Sequence, residues 1–223
     1  MIILAADTSG KNGSLALVQF EAGSPHTLEL ASLEGGTFSA QLVPQISALL
    51  IQQNLAKRDI DAFAVASGPG SFTGLRVGLA AIKALAEILQ KPIAAVSVLE
   101  AIACAAGREG QVLAALDAGR GEVYCGEYEI RGGRASLVAQ RLLSGREFVD
   151  IAAGRMIVTP DAKVADLARE RNLQVILIEP PRADAIARLG FEKIHAGEVS
   201  SPEALDATYI RRTDAEIKKD ARA

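Results

Sequence analysis

The chain has 223 residues, of which 24 are basic and 27 acidic, giving a formal net charge of −3; 49% are hydrophobic and 23% charged. That length makes one large or two small domains with a substantial core, and no apolar run approaches the ~20 residues that span a bilayer. Aromatic residues make up 4%, tryptophan is absent, and basic residues do not dominate before the tail YIRRTDAEIKKDARA, a composition that argues against gripping RNA alone or stacking single strands.

The start, MIILAADTSG, lacks a basic leader and carries Asp7, so it is expected to be a strand and not a signal peptide. Ile2–Ala6 is a short apolar strand, and Ser14–Phe20 follows a GKNG turn, which predicts a hairpin. His26–Leu33 is a third strand. FSAQLVPQISALLIQQN then turns helical, with Leu42, Ile46, Leu49 and Leu50 on one face. With a cap at Ser39, Pro44 must sit in the first turn or kink the helix. Ala62–Ala66 reads as a buried strand, Phe72–Gln90 as a long helix, and Ile93–Ser97 as another strand. This order predicts a mixed sheet covered by helices. Cys104 and Cys125, the only cysteines, are expected to be buried thiols in a reducing cytoplasm.

The pattern then starts again. IILAADTSGKNGSLALVQF from Ile2 and VLAALDAGRGEVYCGEYEI from Val112 both run strand, aspartate, small-residue turn, strand, with Asp7 and Asp117 in matching places. This internal duplication sets a boundary near residues 100–110, for two lobes at 1–105 and 106–223, the last segment returning toward the first lobe. The second half is read as a strand at Ser136–Leu142, helices near Arg146–Ala153 and Ala162–Arg171, a strand at Val175–Ile178 and a helix at Ala183–His195. An aspartate before a turn can simply cap that turn. It can also orient a metal-bound water beside a phosphate wrapped by turn amides.

SGPGSFTGLRVG, residues 67–78, joins a strand to a helix. Its spacing matches neither a dinucleotide fingerprint nor a P-loop. Gly70, Ser71 and Thr73 still bring amides to a helix start, where an anion is favoured; Ser71 or Thr73 can equally act as a cap. In the helix beyond, the only charges from Leu75 to Gln90 are Arg76, Lys83 and Glu87, on one narrow line. A half-solvated helix carries a broader polar face. Gly74, Gly78 and Ala81 offer small residues at helical spacing, so this helix is expected to be buried twice. The second cover is either the first helix or a partner chain.

GPGSFTGLRVGLAAIKALA resembles the signature of the TsaB (YeaZ) family. ILAADTS…GSLALV, SAQLVPQISALL and AALDAGRGEVYCGEY agree with it, and ATYIRR resembles the family's closing segment. The match is good over 1–130 and thin over 131–200. The resemblance implies an α/β, two-lobed actin-like (ribonuclease H-like) fold with mixed sheets. It implies a non-catalytic scaffold or activator that binds TsaD, with TsaE joining the pair, in forming threonylcarbamoyladenosine beside the tRNA anticodon. A homodimer is implied when the chain is alone, with tRNA reached only through the complex.

The interface implied lies on Phe72, Gly74, Leu75, Arg76, Gly78, Leu79, Ala81, Ile82, Leu42 and Ile46. Candidate nucleotide or phosphate loops hold Asp7, Thr8, Ser9, Gly68, Gly70, Ser71, Asp117 and Arg120. No cofactor is required, with room for weak ATP or ADP binding at a partner interface. Many members carry His-Ser or His-Thr before the first helix, where this chain reads Phe38-Ser39. His26 and His195 fall in different halves, which argues against a two-histidine metal site. The chief alternative is a small actin-like ATP-dependent kinase or nucleotide-binding protein, but the second half offers only Leu189-Gly190 and Gly197 toward a glycine-rich adenine site. A peptidase lacks support, since neither G-x-S-x-G nor H-E-x-x-H occurs.

Overall fold

A computed structural model describes residues 1–206 and Ile210. The chain forms two compact units. The first is Met1–Ala101 with the described part of Pro180–Ala207, and the second is built on Ile102–Glu179.

The first unit holds β1 (Ile2–Asp7), β2 (Gly13–Glu21), β3 (Ser24–Leu33), α1 (Phe38–Gln52), β4 (Ala62–Gly68), α2 (Phe72–Leu89) and β5 (Ile93–Ser97). Its sheet runs β3-β2-β1-β4-β5. β1 and β3 each pair antiparallel with β2, while β4 joins β1, and β5 joins β4, in parallel. The parallel steps need crossovers, which α1 and α2 provide. Ile3, Leu4, Ala5 and Ala6 are all fully buried, because both faces of the sheet are covered; a continuous apolar run therefore replaces alternation.

One face, with Leu4, Ala6, Leu15, Leu17, Phe63 and Val65, packs with Leu42, Ile46 and Leu49 of α1 and Leu75, Leu79 and Ile82 of α2. Pro44 is the seventh residue of α1, beyond its first turn and on its exposed side. The helix starts at Phe38, one residue before the expected cap.

The other face is covered by α6 (Ala183–His195), which packs on β1, β2, β4 and β5. A Cβ at Gly190 would lie 2.5 Å from the Ala64 Cβ, so the glycine lets α6 lie close against the sheet. Phe191 stacks on Phe20 with centroids 4.0 Å apart. The buried Ser14 hydroxyl accepts the Ala183 amide at 2.9 Å and satisfies one free donor of the helix start. The helix expected in the second lobe thus completes the first unit, because sheet 1 otherwise lacks a cover on that face. The division at 101/102 also falls a few residues before the expected 105/106.

After α3 (Val98–Cys104), the second unit repeats the plan. β6 (Gly110–Gly119), β7 (Glu122–Arg131), β8 (Arg134–Ser144), β9 (Met156–Thr159) and β10 (Val175–Leu177) run β10-β9-β6-β7-β8. Read from the other edge, this is the first sheet's order with the same antiparallel and parallel pairings. α4 (Gly145–Ala152) and α5 (Ala162–Glu170) supply the crossovers, and their Phe148, Ala152, Val164 and Ala168 close the core over Leu113, Val123 and Ile157. The duplication therefore extends beyond the two hairpins to whole five-stranded sheets. No described helix is long and apolar enough to cross a membrane.

Candidate functional site

The turn after β1 and the loop before α2 form one packed unit. Asp7 is buried, and its Oδ1 accepts the Ser9 amide at 2.8 Å. Burial pushes the Asp7 carboxyl above the ordinary range, and the Ser9 hydrogen bonds only partly oppose this. Thr8 is 1% exposed, and its hydroxyl donates to the Gly74 carbonyl at 2.7 Å. The Ser71 amide donates to the Ser9 carbonyl at 2.6 Å, and the Ser71 hydroxyl accepts the Gly74 amide at 3.2 Å as the helix cap.

The glycines make this contact sterically feasible. A Cβ at Gly70 would stand 2.5 Å from the Ser9 carbonyl oxygen, one at Gly74 2.1 Å from the Thr8 carbonyl oxygen, and one at Gly78 2.3 Å from the Thr8 Oγ1. Gly68, at φ +120°, takes a backbone shape that side chains disfavour. The amide of Ser71, expected to face an anion, is taken by the chain's own Ser9. The turn holding Asp7, Thr8 and Ser9 meets Gly70 and Ser71 in a self-filled contact, an approach not anticipated from sequence.

This corrects the expected interface list. Gly74 and Gly78 do not offer an outward face, because Thr8 occupies the space beside them. Leu75, Leu79 and Ile82 of α2, with Leu42 of α1, are buried in the core of the unit, and Ile46 is 5% exposed, reaching the surface only as lining of a groove. Phe72 and Arg76 are exposed, with the guanidinium 3.8 Å over the Phe72 ring, and Ala81 is half-buried. Ala80, Ala84 and Ile88 complete the outward side of α2.

Val43 and Ile51 stand out from the neighbouring α1, at 57% and 75% exposure, and Ile88 reaches 78%. A mostly apolar groove lined by Val43, Ile46, Ser47, Leu50, Leu85 and Leu89 of the two helices is completed by Lys57 and Ile60 from the segment after α1. Four of the eight large apolar side chains exposed among the described residues lie on these two helices. The narrow charge line on α2 is thus matched by an outward surface of apolar and alanine side chains.

In the second unit Asp117 Oδ1 accepts the Gly119 amide at 2.9 Å, as Asp7 accepts that of Ser9. Both aspartates cap their own turns, a reading that sequence left open. The surroundings differ. The Asp117 carboxyl sits below the ordinary range, chiefly through the Gly119 amide and further through Lys163, whose Nζ is 3.2 Å away. The Asp117 amide donates to Asp161 Oδ2 at 2.7 Å, so the loop before α5 is pinned to the end of β6. Arg120 sits in this turn at φ +56°, exposed. Asp161 and Lys163 were not singled out from sequence; only the pseudo-equivalence of α5 to α2 marks them. Among the described residues, no group of three or more His, Cys, Asp or Glu side chains is placed to hold a metal ion.

A three-strand antiparallel meander extended by two parallel crossover strands, built twice in one chain, defines the class: an α/β protein of the ribonuclease H-like, actin-like fold. Residues 35–188 match the family model described as TsaD, tRNA N6-adenosine threonylcarbamoyltransferase. The chain is 31% identical to the tRNA threonylcarbamoyladenosine biosynthesis protein TsaB of Bacillus subtilis (strain 168), over 98% of this chain and 97% of that protein. It is 37% identical to the protein of that name from Escherichia coli (strain K12), over 95% of each. The solved structure of YeaZ from Pseudomonas aeruginosa superposes with a TM-score of 0.76 at 28% identity, covering 93% of this chain and 99% of that one. The chain belongs to the TsaB (YeaZ) family.

Proposed function

We propose that this chain serves tRNA threonylcarbamoyladenosine biosynthesis as a non-catalytic subunit that captures TsaD through the outward side of α1 and α2. The biosynthetic role follows from the names of its TsaB relatives. The observation that carries the capture surface is the exposed run of Val43, Ile51, Ala80, Ala84 and Ile88 beside an apolar groove. Contiguous exposed apolar surface marks interaction sites on soluble proteins. TsaE joins the pair, the surface closes on a second copy when TsaD is absent, and tRNA is met only through the complex. Catalysis is assigned to TsaD. The Ser71 amide taken up by the Ser9 carbonyl supports a role that requires no cofactor, with any ATP or ADP held weakly at the partner interface. The cytoplasm is the proposed compartment.

The test is reconstitution with threonylcarbamoyl-adenylate and tRNA. The chain alone should form no modified adenosine, and TsaD output should depend on adding the chain. Product formed by the chain without TsaD would overturn the non-catalytic assignment. TsaD output indifferent to the chain would overturn the activator role.

A further inference from the structure

Lys83 lies on α2 among alanines and leucines, and the proposed role gives it no task. Its Nζ donates to the Leu205 carbonyl at 2.9 Å. Leu205 is 3% exposed and belongs to the same core cluster as Leu79, Ile82 and Ala86 of α2. Just upstream, the Ser200 amide donates to the Ile93 carbonyl at 2.8 Å, in an antiparallel bridge on the free edge of β5. Between the two anchors the chain makes a turn, with the Leu205 amide bonded to the Ser201 carbonyl and the Ala204 amide to the Ser201 hydroxyl. The Glu203 carboxyl is held below the ordinary range by its own backbone amide and by the Ser201 hydroxyl, with the Lys83 charge adding to this. The segment is thus fastened at both ends and ordered within.

Its placement follows from helix geometry. At ~100° per residue, Arg76, Lys83 and Glu87 point within about 40° of one another. Val77, Ala81, Leu85 and Ile88 point to the opposite flank, where Leu85 lines the groove against α1. The exposed side of α2 is therefore bounded by α1 on one flank and by the segment held through Lys83 on the other.

We propose that Lys83 is a positioning residue for the partner face: it clasps residues Ser200–Leu205 along α2, and the clasped segment forms one wall of that face. The proposal rests on the capture surface assigned above. A lysine is needed because the carbonyl it satisfies is half-buried beside an apolar helix, and an unmet buried acceptor is costly. An ammonium on a flexible four-carbon stem carries the donor to that carbonyl from the side of α2, where a shorter polar group would not reach.

The test pairs two variants that release the clasp from opposite ends, Lys83→Met and Ser200→Pro, with Lys83→Arg as the variant that keeps a donor. Hydrogen exchange at the Ser200 and Leu205 amides reads the clasp in Lys83→Met, and exchange at Leu205 reads it in Ser200→Pro; β1 amides report global stability. Losing one charge-assisted bond predicts roughly 10- to 100-fold faster exchange in the segment, with β1 unchanged. Affinity for TsaD should fall about tenfold or more in both variants and persist in Lys83→Arg. Unchanged exchange in Lys83→Met overturns the clasp. Fast exchange with wild-type affinity overturns the wall. A wild-type chain that fails to capture TsaD sinks the capture surface instead, and the exchange results still decide the clasp.

Discussion

Gly78→Ala and Gly74→Ala test whether the α2 glycines serve the fold or an outside partner. An alanine at 78 places its Cβ 2.3 Å from the Thr8 hydroxyl oxygen, in a site where Thr8 is 1% exposed. Relief needs a rotation of Thr8 that breaks its 2.7 Å bond to the Gly74 carbonyl. Overpacking of this kind costs about 1–3 kcal/mol, and the lost buried bond adds roughly 1 kcal/mol. Better helix propensity returns about 1 kcal/mol. The net loss is about 1–3 kcal/mol, or roughly 3–10 °C in Tm for a chain of this size. Gly74→Ala should be worse, because its Cβ would stand 2.1 Å from a backbone carbonyl oxygen, which cannot rotate away.

The sharper form is a double-mutant cycle followed by thermal or urea melts. Thr8→Ala removes the atom that obstructs position 78 and leaves the carbonyl that obstructs position 74. Thr8→Ala with Gly78→Ala should therefore couple by about 1–2 kcal/mol toward relief, whereas the penalty of Gly74→Ala should persist in the Thr8→Ala chain. A Gly78→Ala chain as stable as the wild type, or more so, would refute the packing account and return these glycines to the surface.

Three further outcomes are expected. The raised Asp7 pKa means that the folded chain favours the protonated carboxyl, so its contribution to stability is full below the unfolded value of 3.8 and is lost as pH rises through the folded value. Asp7→Asn keeps an oxygen for the Ser9 amide, so its stability relative to wild type should improve from pH 4 to pH 7; a difference that does not change with pH would count against a buried charge. The Cys125 thiol, pushed up to about 12 by burial with help from Glu127, should resist alkylation at pH 8 until the chain is denatured; rapid native labelling at Cys125 would contradict its burial. Gly190→Leu should unfold the first unit, since even a Cβ there would stand 2.5 Å from that of Ala64; a native melt for this variant would show that α6 can lift off the sheet.

Much of this fold was legible because buried strands and amphipathic helices write local patterns. The two aspartate turns betrayed the duplication, although the full matching sheet order depended on β9. Its four residues, Met156–Thr159, are too few to show a period and were not anticipated. α3 was likewise missed, its seven residues falling where a boundary was expected. The small residues of α2 signalled a close approach correctly, yet spacing cannot say what approaches. The answer, Thr8, is 66 positions from Gly74 along the chain. The same limit hid Lys83, whose acceptor lies 122 residues away. Local sequence shows that a side chain needs a neighbour; tertiary contact chooses which one. The ATYIRR resemblance runs past the described residues.

The most direct test of the capture surface is the affinity for TsaD of a chain carrying Ile88→Glu. Ile88 is 78% exposed, so the substitution leaves the core intact and the melting curve should match the wild type. Set into an apolar contact, the charge should weaken capture by at least ~2 kcal/mol, about thirtyfold in Kd. Wild-type affinity in a natively folded Ile88→Glu chain would place the partner elsewhere and contradict the account.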